Sequence, residues 1–197
     1  VIDFLEVALQ QFQQQSMLEI LAVSLSVLYV VLAARQNIWC WPCAFVSTAI
    51  FVYLFWEVSL IFQTLLNFYF IVMAVIGYLS WKVSSDKPIL EVTKMSIKAH
   101  LLLLGIGLVI TILLTKLGNH WFSGEWVWLD AGTAVFSVVA TVMTARKKID
   151  SWVYWFVLNP AIAYLMFQNG FYLTCLLNGL YTAMSVYGFL NWRKELK

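Results

Sequence analysis

Asn67 and Asn178 each stand inside a long apolar run, and each has company at helical spacing. Gln63, Asn67 and Phe70 recur at i, i+4 and i+7, which places them on one face of a helix. Thr174, Asn178 and Tyr181 repeat that spacing later in the chain. If the two faces meet, the paired amides form a neutral, directional clamp for sugar hydroxyls or a carboxamide. Amides also hold helices together inside bilayers, and that reading stands beside the first. Trp152, Trp155 and Asn159 form a third set at i, i+3 and i+7. Two indoles and an amide on one face would stack an aromatic ring and hydrogen-bond its substituent, and a pyridinium ring gains further from the electron-rich indole face. Trp152 lies beside a basic stretch, where a tryptophan equally serves as an interfacial anchor.

Other chemistry is sparse. Glu19 and Asp130 are predicted one turn inside one end of their helices, as a candidate vestibule for a cationic solute or as carboxylates reaching water. No acid falls clearly at a midplane and no Lys, Arg or His is embedded there, which favours a passive mechanism over a proton relay. His100 and His120 have no Cys or carboxylate at metal-ligand spacing, and no Gly-rich phosphate loop is present, so neither a metal, a cofactor nor an enzymatic activity is expected. Cys40 and Cys43 form Cys-Trp-Pro-Cys, a redox motif in a soluble βαβ protein. Here it opens an apolar helix and reads as structural, with a membrane thiol redox protein as the less favoured alternative.

The elements that must position these residues are membrane spans. The chain has 197 residues, 62% hydrophobic and 11% charged, where a soluble domain carries roughly 25% charge. A span needs about 20 predominantly apolar residues. Such runs are predicted at about 16–34, 39–56, 59–81, 98–116, 126–145, 152–168 and 171–192, bounded by turn or charge signals such as Arg35-Gln36-Asn37 and Gly118-Asn119-His120. The first 15 residues are polar and Gln-rich with no basic region, so no cleavable signal peptide is expected. A net charge of +2 argues against a nucleic-acid partner.

With alternating spans, one side receives Arg35, Lys82, Lys87, Lys94, Lys98, Arg146, Lys147, Lys148, Arg193, Lys194 and Lys197, and the other only Lys116. The excess of basic residues predicts an external N-terminus and a cytoplasmic C-terminus.

The chain matches itself without gaps at an offset of 111 residues. Arg35 pairs with Arg146, Trp41 with Trp152, Tyr53 with Tyr164, Asn67 with Asn178, Phe70 with Tyr181, Gly77 with Gly188 and Trp81 with Trp192. Glu19 falls on Asp130, Ser26 on Ser137 and Thr48 on Asn159. Tryptophan, glycine and asparagine recurring in register are not explained by shared apolarity alone. Two three-helix units separated by a single span are parallel, so the fold predicted is all-α, with a first repeat over 1–82, a linker and connector helix over 83–125 and a second repeat over 126–197. Parallel repeats place transporter sites near the midplane between them. Gly77 and Gly188 are expected to permit close helix approach, and Trp81 and Trp192 to mark the membrane interface. Pro42 and Pro160 fall at non-equivalent positions.

The run Met143-Thr144-Ala145-Arg146-Lys147, followed by Trp152-Val153-Tyr154-Trp155 and Asn159, resembles the PnuC family of bacterial nicotinamide riboside transporters. The resemblance continues through Gln168-Asn169-Gly170-Phe171-Tyr172 to Gly188 and Trp192. It implies a three-plus-one-plus-three fold similar to that of the SWEET sugar transporters, in which an Asn from each repeat enters the site. Asn67 and Asn178 occupy those places, although the matched prolines of SWEETs are missing. It further implies facilitated diffusion of nicotinamide riboside across the bacterial inner membrane, trapping by a cytoplasmic kinase, and a homotrimer. On this reading Gln63, Asn67, Phe70, Trp155, Asn159, Thr174, Asn178 and Tyr181 bind substrate. Thiamine, riboflavin or a sugar would suit the same aromatic and amide groups.

Overall fold

The computed structural model describes residues 17–57, 61–82, 90–121, 126–168 and 172–196. These contain seven helices: α1 (Met17–Ala34), α2 (Cys40–Glu57), α3 (Ile61–Trp81), α4 (Ile97–Trp121), α5 (Val127–Ala145), α6 (Ser151–Gln168) and α7 (Tyr172–Arg193). A chain immersed in lipid must satisfy its backbone polar groups internally, which helices do. Apolar stretches of 18 or more residues lie in α3, α4 and α5, with shorter ones in α1 and α2. Helices α6 and α7 are diluted by polar residues such as Asn159 and Asn178, both buried inside the bundle rather than facing outward.

Six helices close a ring. α1 packs on α2, α2 on α3, α3 on α5, α5 on α6, α6 on α7, and α7 returns to α1. Among the described residues α4 packs lengthwise on α5, with His100 at its start stacked on Tyr154 of α6, and its Leu101, Leu102, Ile106, Val109 and Leu113 are exposed as a lipid-facing surface. The sequence signal Gly118-Asn119-His120 does not end α4, which continues to Trp121. Gly118 instead serves contact: a Cβ there would come within 2.7 Å of Val127 at the start of α5.

The ends of α1 and α5 are built alike. Gln36 and Lys147, equivalent under the 111-residue offset, adopt left-handed φ of 54° and 47°. Behind them, Gln36 N donates to Ala33 O and Asn37 N to Leu32 O, while Lys147 N donates to Thr144 O and Lys148 N to Met143 O. This is a Schellman cap, and it leaves the final helical carbonyls of Ala34 and Ala145 to find donors elsewhere. The donors come from across the ring. Asn191 Nδ2 reaches Ala34 O at 2.8 Å and Trp81 Nε1 reaches Ala145 O at 3.0 Å, while Trp192 Nε1 bonds Ala33 O at 3.0 Å.

Between these bonds sits a tryptophan quartet. Trp41 meets Trp81 edge-on at 5.3 Å, Trp81 meets Trp192 at 5.8 Å, and Trp152 meets Trp192 edge-on at 5.4 Å. All four are buried, so Trp81, Trp192 and Trp152 do not serve as interfacial anchors: their rings fill the bundle and the first two also satisfy backbone carbonyls. Gly77 lies against Trp41 and Gly188 against Trp152. Lys147 Nζ stands 4.9 Å from the Trp81 ring centre, and burial lowers its pKa from the ordinary lysine range while Glu195 opposes that shift.

Residues 90–96, which precede α4, lie against the loop joining α5 and α6. Thr93 forms a parallel bridge with Lys148, through Thr93 N to Lys147 O and Ile149 N to Thr93 O. Lys148 Nζ bonds Thr93 Oγ1 at 2.8 Å. Asp150 receives Met95 N at 2.7 Å and pairs with His100 at 3.4 Å, which ties down the start of α4.

The close approach at Gly188, where a Cβ would lie 2.6 Å from the Trp152 ring, gives a direct test. Gly188→Ala should destabilise the protein by about 1–3 kcal/mol, read as a lower melting temperature in detergent. Gly105→Ala, whose Cβ would meet nothing within 4 Å, should stay within about 0.5 kcal/mol of the parent.

Candidate substrate cavity

The ring of six helices encloses a cavity of about 350 Å³, and every one of the six contributes to its wall. α1 supplies Val23, Ser26 and Tyr29, and α2 supplies Trp41, Ala44, Ser47, Thr48 and Phe51. Leu66, Asn67 and Phe70 come from α3, Ser137 and Thr141 from α5. The wall is completed by Trp155, Asn159 and Ile162 of α6 and by Thr174, Leu177, Asn178 and Tyr181 of α7. No charged residue is among them. Trp41, one member of the quartet, lines the cavity toward the end of the bundle that carries Arg35 and Arg146.

The repeat is written into this wall. Ser26 and Ser137, Thr48 and Asn159, Phe51 and Ile162, Leu66 and Leu177, Asn67 and Asn178, and Phe70 and Tyr181 are equivalent pairs. One pair breaks the balance of size: Ala44 in the first repeat corresponds to Trp155 in the second. The result is an indole at this position in the second repeat only. A smaller pocket of about 80 Å³ adjoins it, sharing Tyr29, Trp155, Asn159 and Tyr181 and adding Ala33, Thr144, Trp152 and Ser185.

The side chains are held by short local bonds. Asn178 Nδ2 donates to Thr174 O at 2.8 Å, one turn back on its own helix. Trp155 Nε1 donates to Thr144 Oγ1 at 3.3 Å, and Asn159 Nδ2 to Ser185 Oγ at 3.2 Å. Ser47 Oγ donates to Ala22 O at 2.8 Å and meets Ser26 Oγ, joining α2 to α1. The indole N–H groups of Trp41 and Trp152, equivalent in the repeat, are buried without an acceptor among the described residues.

A family model described as nicotinamide mononucleotide transporter matches residues 16–194. The chain belongs to that family. It is therefore a membrane transporter and not an enzyme. A nicotinamide riboside transporter PnuC of Neisseria mucosa is 24% identical over 199 residues, covering 94% of this chain and 75% of that protein. The crystal structure described as that of the vitamin B3 transporter PnuC superimposes with a TM-score of 0.74 at 23% identity. That match covers 98% of this chain and 88% of that one, and it shows the shared seven-helix fold.

Within this member of the nicotinamide mononucleotide transporter family, seven of the residues singled out from sequence line one cavity: Asn67, Phe70, Trp155, Asn159, Thr174, Asn178 and Tyr181. The side chains of Gln63 and Glu19 lie outside the described residues. Asp130 is exposed in the first turn of α5 and does not line the cavity; a carboxylate there also complements the positive end of the helix dipole. Sequence reasoning passed over Tyr29, Phe51, Thr141, Thr144 and Ser185. It also passed over Trp41 as a wall residue, although Trp41 and Thr48 stand at the same spacing as Trp152 and Asn159.

Cys40 is buried at the start of α2, Cys43 is half-buried, and both are free thiols. Neither lines the cavity. Replacing both with serine, which is nearly isosteric with cysteine, should leave uptake by reconstituted protein within about twofold of the parent, since neither side chain lines the cavity; complete loss of uptake with normal expression would restore a thiol role.

Proposed function

We propose that this protein carries nicotinamide riboside across the bacterial inner membrane by facilitated diffusion with alternating access. One observation carries the reading: a cavity between two repeats lined by aromatic rings, amides and hydroxyls and, among the described residues, by no charged side chain. Its volume lies within the roughly 300–1,000 Å³ of small-molecule sites. Trp155, Phe70 and Tyr181 offer faces to a pyridinium ring, a contact that gains when desolvated. Gln63, Asn67, Asn159, Thr174 and Asn178 supply hydrogen bonds for the carboxamide and ribose.

The same observation separates the riboside from its mononucleotide. Burying a phosphate dianion without a cation beside it is costly, and no Lys or Arg among the described residues lines the wall. The name of the Neisseria mucosa relative points the same way. The lack of an ionisable carboxylate, imidazole or ammonium among the described wall residues also supports passive transport. The distribution of basic residues supports an external N-terminus and a cytoplasmic C-terminus, and the resemblance extends the proposal to a homotrimer.

Titration calorimetry on the purified protein tests this. Nicotinamide riboside should bind in preference to its mononucleotide, thiamine, riboflavin and glucose; tighter binding of thiamine would sink the proposal. Asn67→Leu combined with Asn178→Leu should weaken binding by about 10–100-fold, as the loss of two buried hydrogen bonds implies, with the fold retained. In liposomes, uptake should stop at equilibrium whether or not sodium or proton gradients are imposed.

A further inference from the structure

Trp155 and Asn159 correspond to Ala44 and Thr48 in the first repeat, so at these two positions the ring and the amide are present in the second repeat only. Behind them stand two hydroxyls, Thr144 accepting from Trp155 Nε1 and Ser185 accepting from Asn159 Nδ2. The positions equivalent to Thr144 and Ser185 are Ala33 and Ala74. The second repeat therefore has both the pair and its supports, and the first has neither. That joint difference indicates that the hydroxyls serve the pair and not the packing of the repeat, which Ala33 and Ala74 accomplish without them.

A hydroxyl has one proton to give. Ser185 gives its proton to Tyr181 O at 2.8 Å, and Thr144 gives its own to Ala140 O at 2.9 Å. With that proton committed, Ser185 Oγ can only accept. It requires an N–H from Asn159, so Nδ2 must face Ser185 and Oδ1 must face away; the reversed amide would set two lone-pair oxygens against each other. Asn159 is 3% exposed and Ser185 2%, so bulk water does not dilute the preference. No described residue donates to Asn159 Oδ1, and Asn159 lines the cavity.

We infer that Ser185 is a specificity-determining positioning residue: it fixes the Asn159 amide with its carbonyl oxygen available to substrate, so that the site selects a ring substituent that donates an N–H. A carboxamide meets that demand and a ketone of the same shape does not. The inference rests on the nicotinamide riboside reading and adds the group by which the ring is told from its isosteres.

The experiment compares nicotinamide riboside with 3-acetylpyridine riboside, which replaces the amide NH₂ by a methyl group and leaves the charge unchanged. Both are titrated into the full-length protein, into Ser185→Ala and into Ser185→Thr. The parent should favour the carboxamide by about tenfold or more, since a site built around a hydrogen bond rejects the analogue lacking it. In Ser185→Ala the amide is free to turn and offer Nδ2 to the acetyl oxygen, so the ratio should fall to within about threefold. Ser185→Thr keeps the hydroxyl and should keep the ratio. A merely structural role would weaken both ligands together and leave the ratio unmoved, and that result overturns the inference while the substrate reading stands. A parent protein that binds both ligands equally also overturns it without any variant. If the parent binds neither, the substrate reading falls and takes the inference with it.

Discussion

A helix that ends within a membrane protein leaves backbone carbonyls that water cannot reach, and the ends of α1 and α5 turn this liability into the joint between the two halves. Their caps satisfy all but the last carbonyls, which take N–H groups from helices of the other half, Trp81 on Ala145 O and Asn191 on Ala34 O, while Trp192 adds a second donor to the capped Ala33 O. Because an indole is among the donors at each helix end, large rings are brought into the bundle. Those rings meet Trp41 and Trp152 edge to face, which in turn press against Gly77 and Gly188, and Trp41 lines the end of the cavity. Capping, inter-repeat packing and closure of the site are one set of contacts.

Much of this was written in the sequence because the residues that carry it are rare types. Trp41, Gly77 and Trp81 recur as Trp152, Gly188 and Trp192, and Asn67 recurs as Asn178, so the repeat displayed both the scaffold and the paired amides. What the sequence withheld follows from the same cause. Comparison between repeats is blind to residues without an equivalent, and Tyr29, Thr144 and Ser185 correspond to alanines Ala140, Ala33 and Ala74. Apolar periodicity likewise does not distinguish a tryptophan facing lipid headgroups from one buried in protein, which is why Trp81 and Trp192 read as interfacial. Gly118 read as a helix terminator because glycine ends helices in water; beside Val127 it is a point of contact.

The site gains its chemistry from a departure from symmetry. A two-fold ring offers each ligand group two equivalent places, which suits a scaffold and poorly suits a molecule with a ring at one end and a sugar at the other. Serines, amides and leucines keep the symmetry, and the Trp155–Asn159 pair breaks it. The break extends behind the wall to the hydroxyls that hold these two side chains, so orientation is imposed by hydrogen bonds and shape without any charge.

The two seams of the ring are not mechanically alike. Between α7 and α1 the halves meet through side chains alone, Asn191 and Trp192 on the carbonyls of α1. Between α3 and α5 the Trp81 bond is joined by Tyr69 on Val138 O, by the Thr93 bridge to the α5–α6 loop, and by the His100–Asp150 pair that anchors α4. The connector and its strap act as the spine of a book whose covers are the two halves. The seam beside the connector is thus tied by backbone and loop as well as by helix side chains, whereas the α7–α1 seam rests on helix packing and on bonds to the carbonyls of α1.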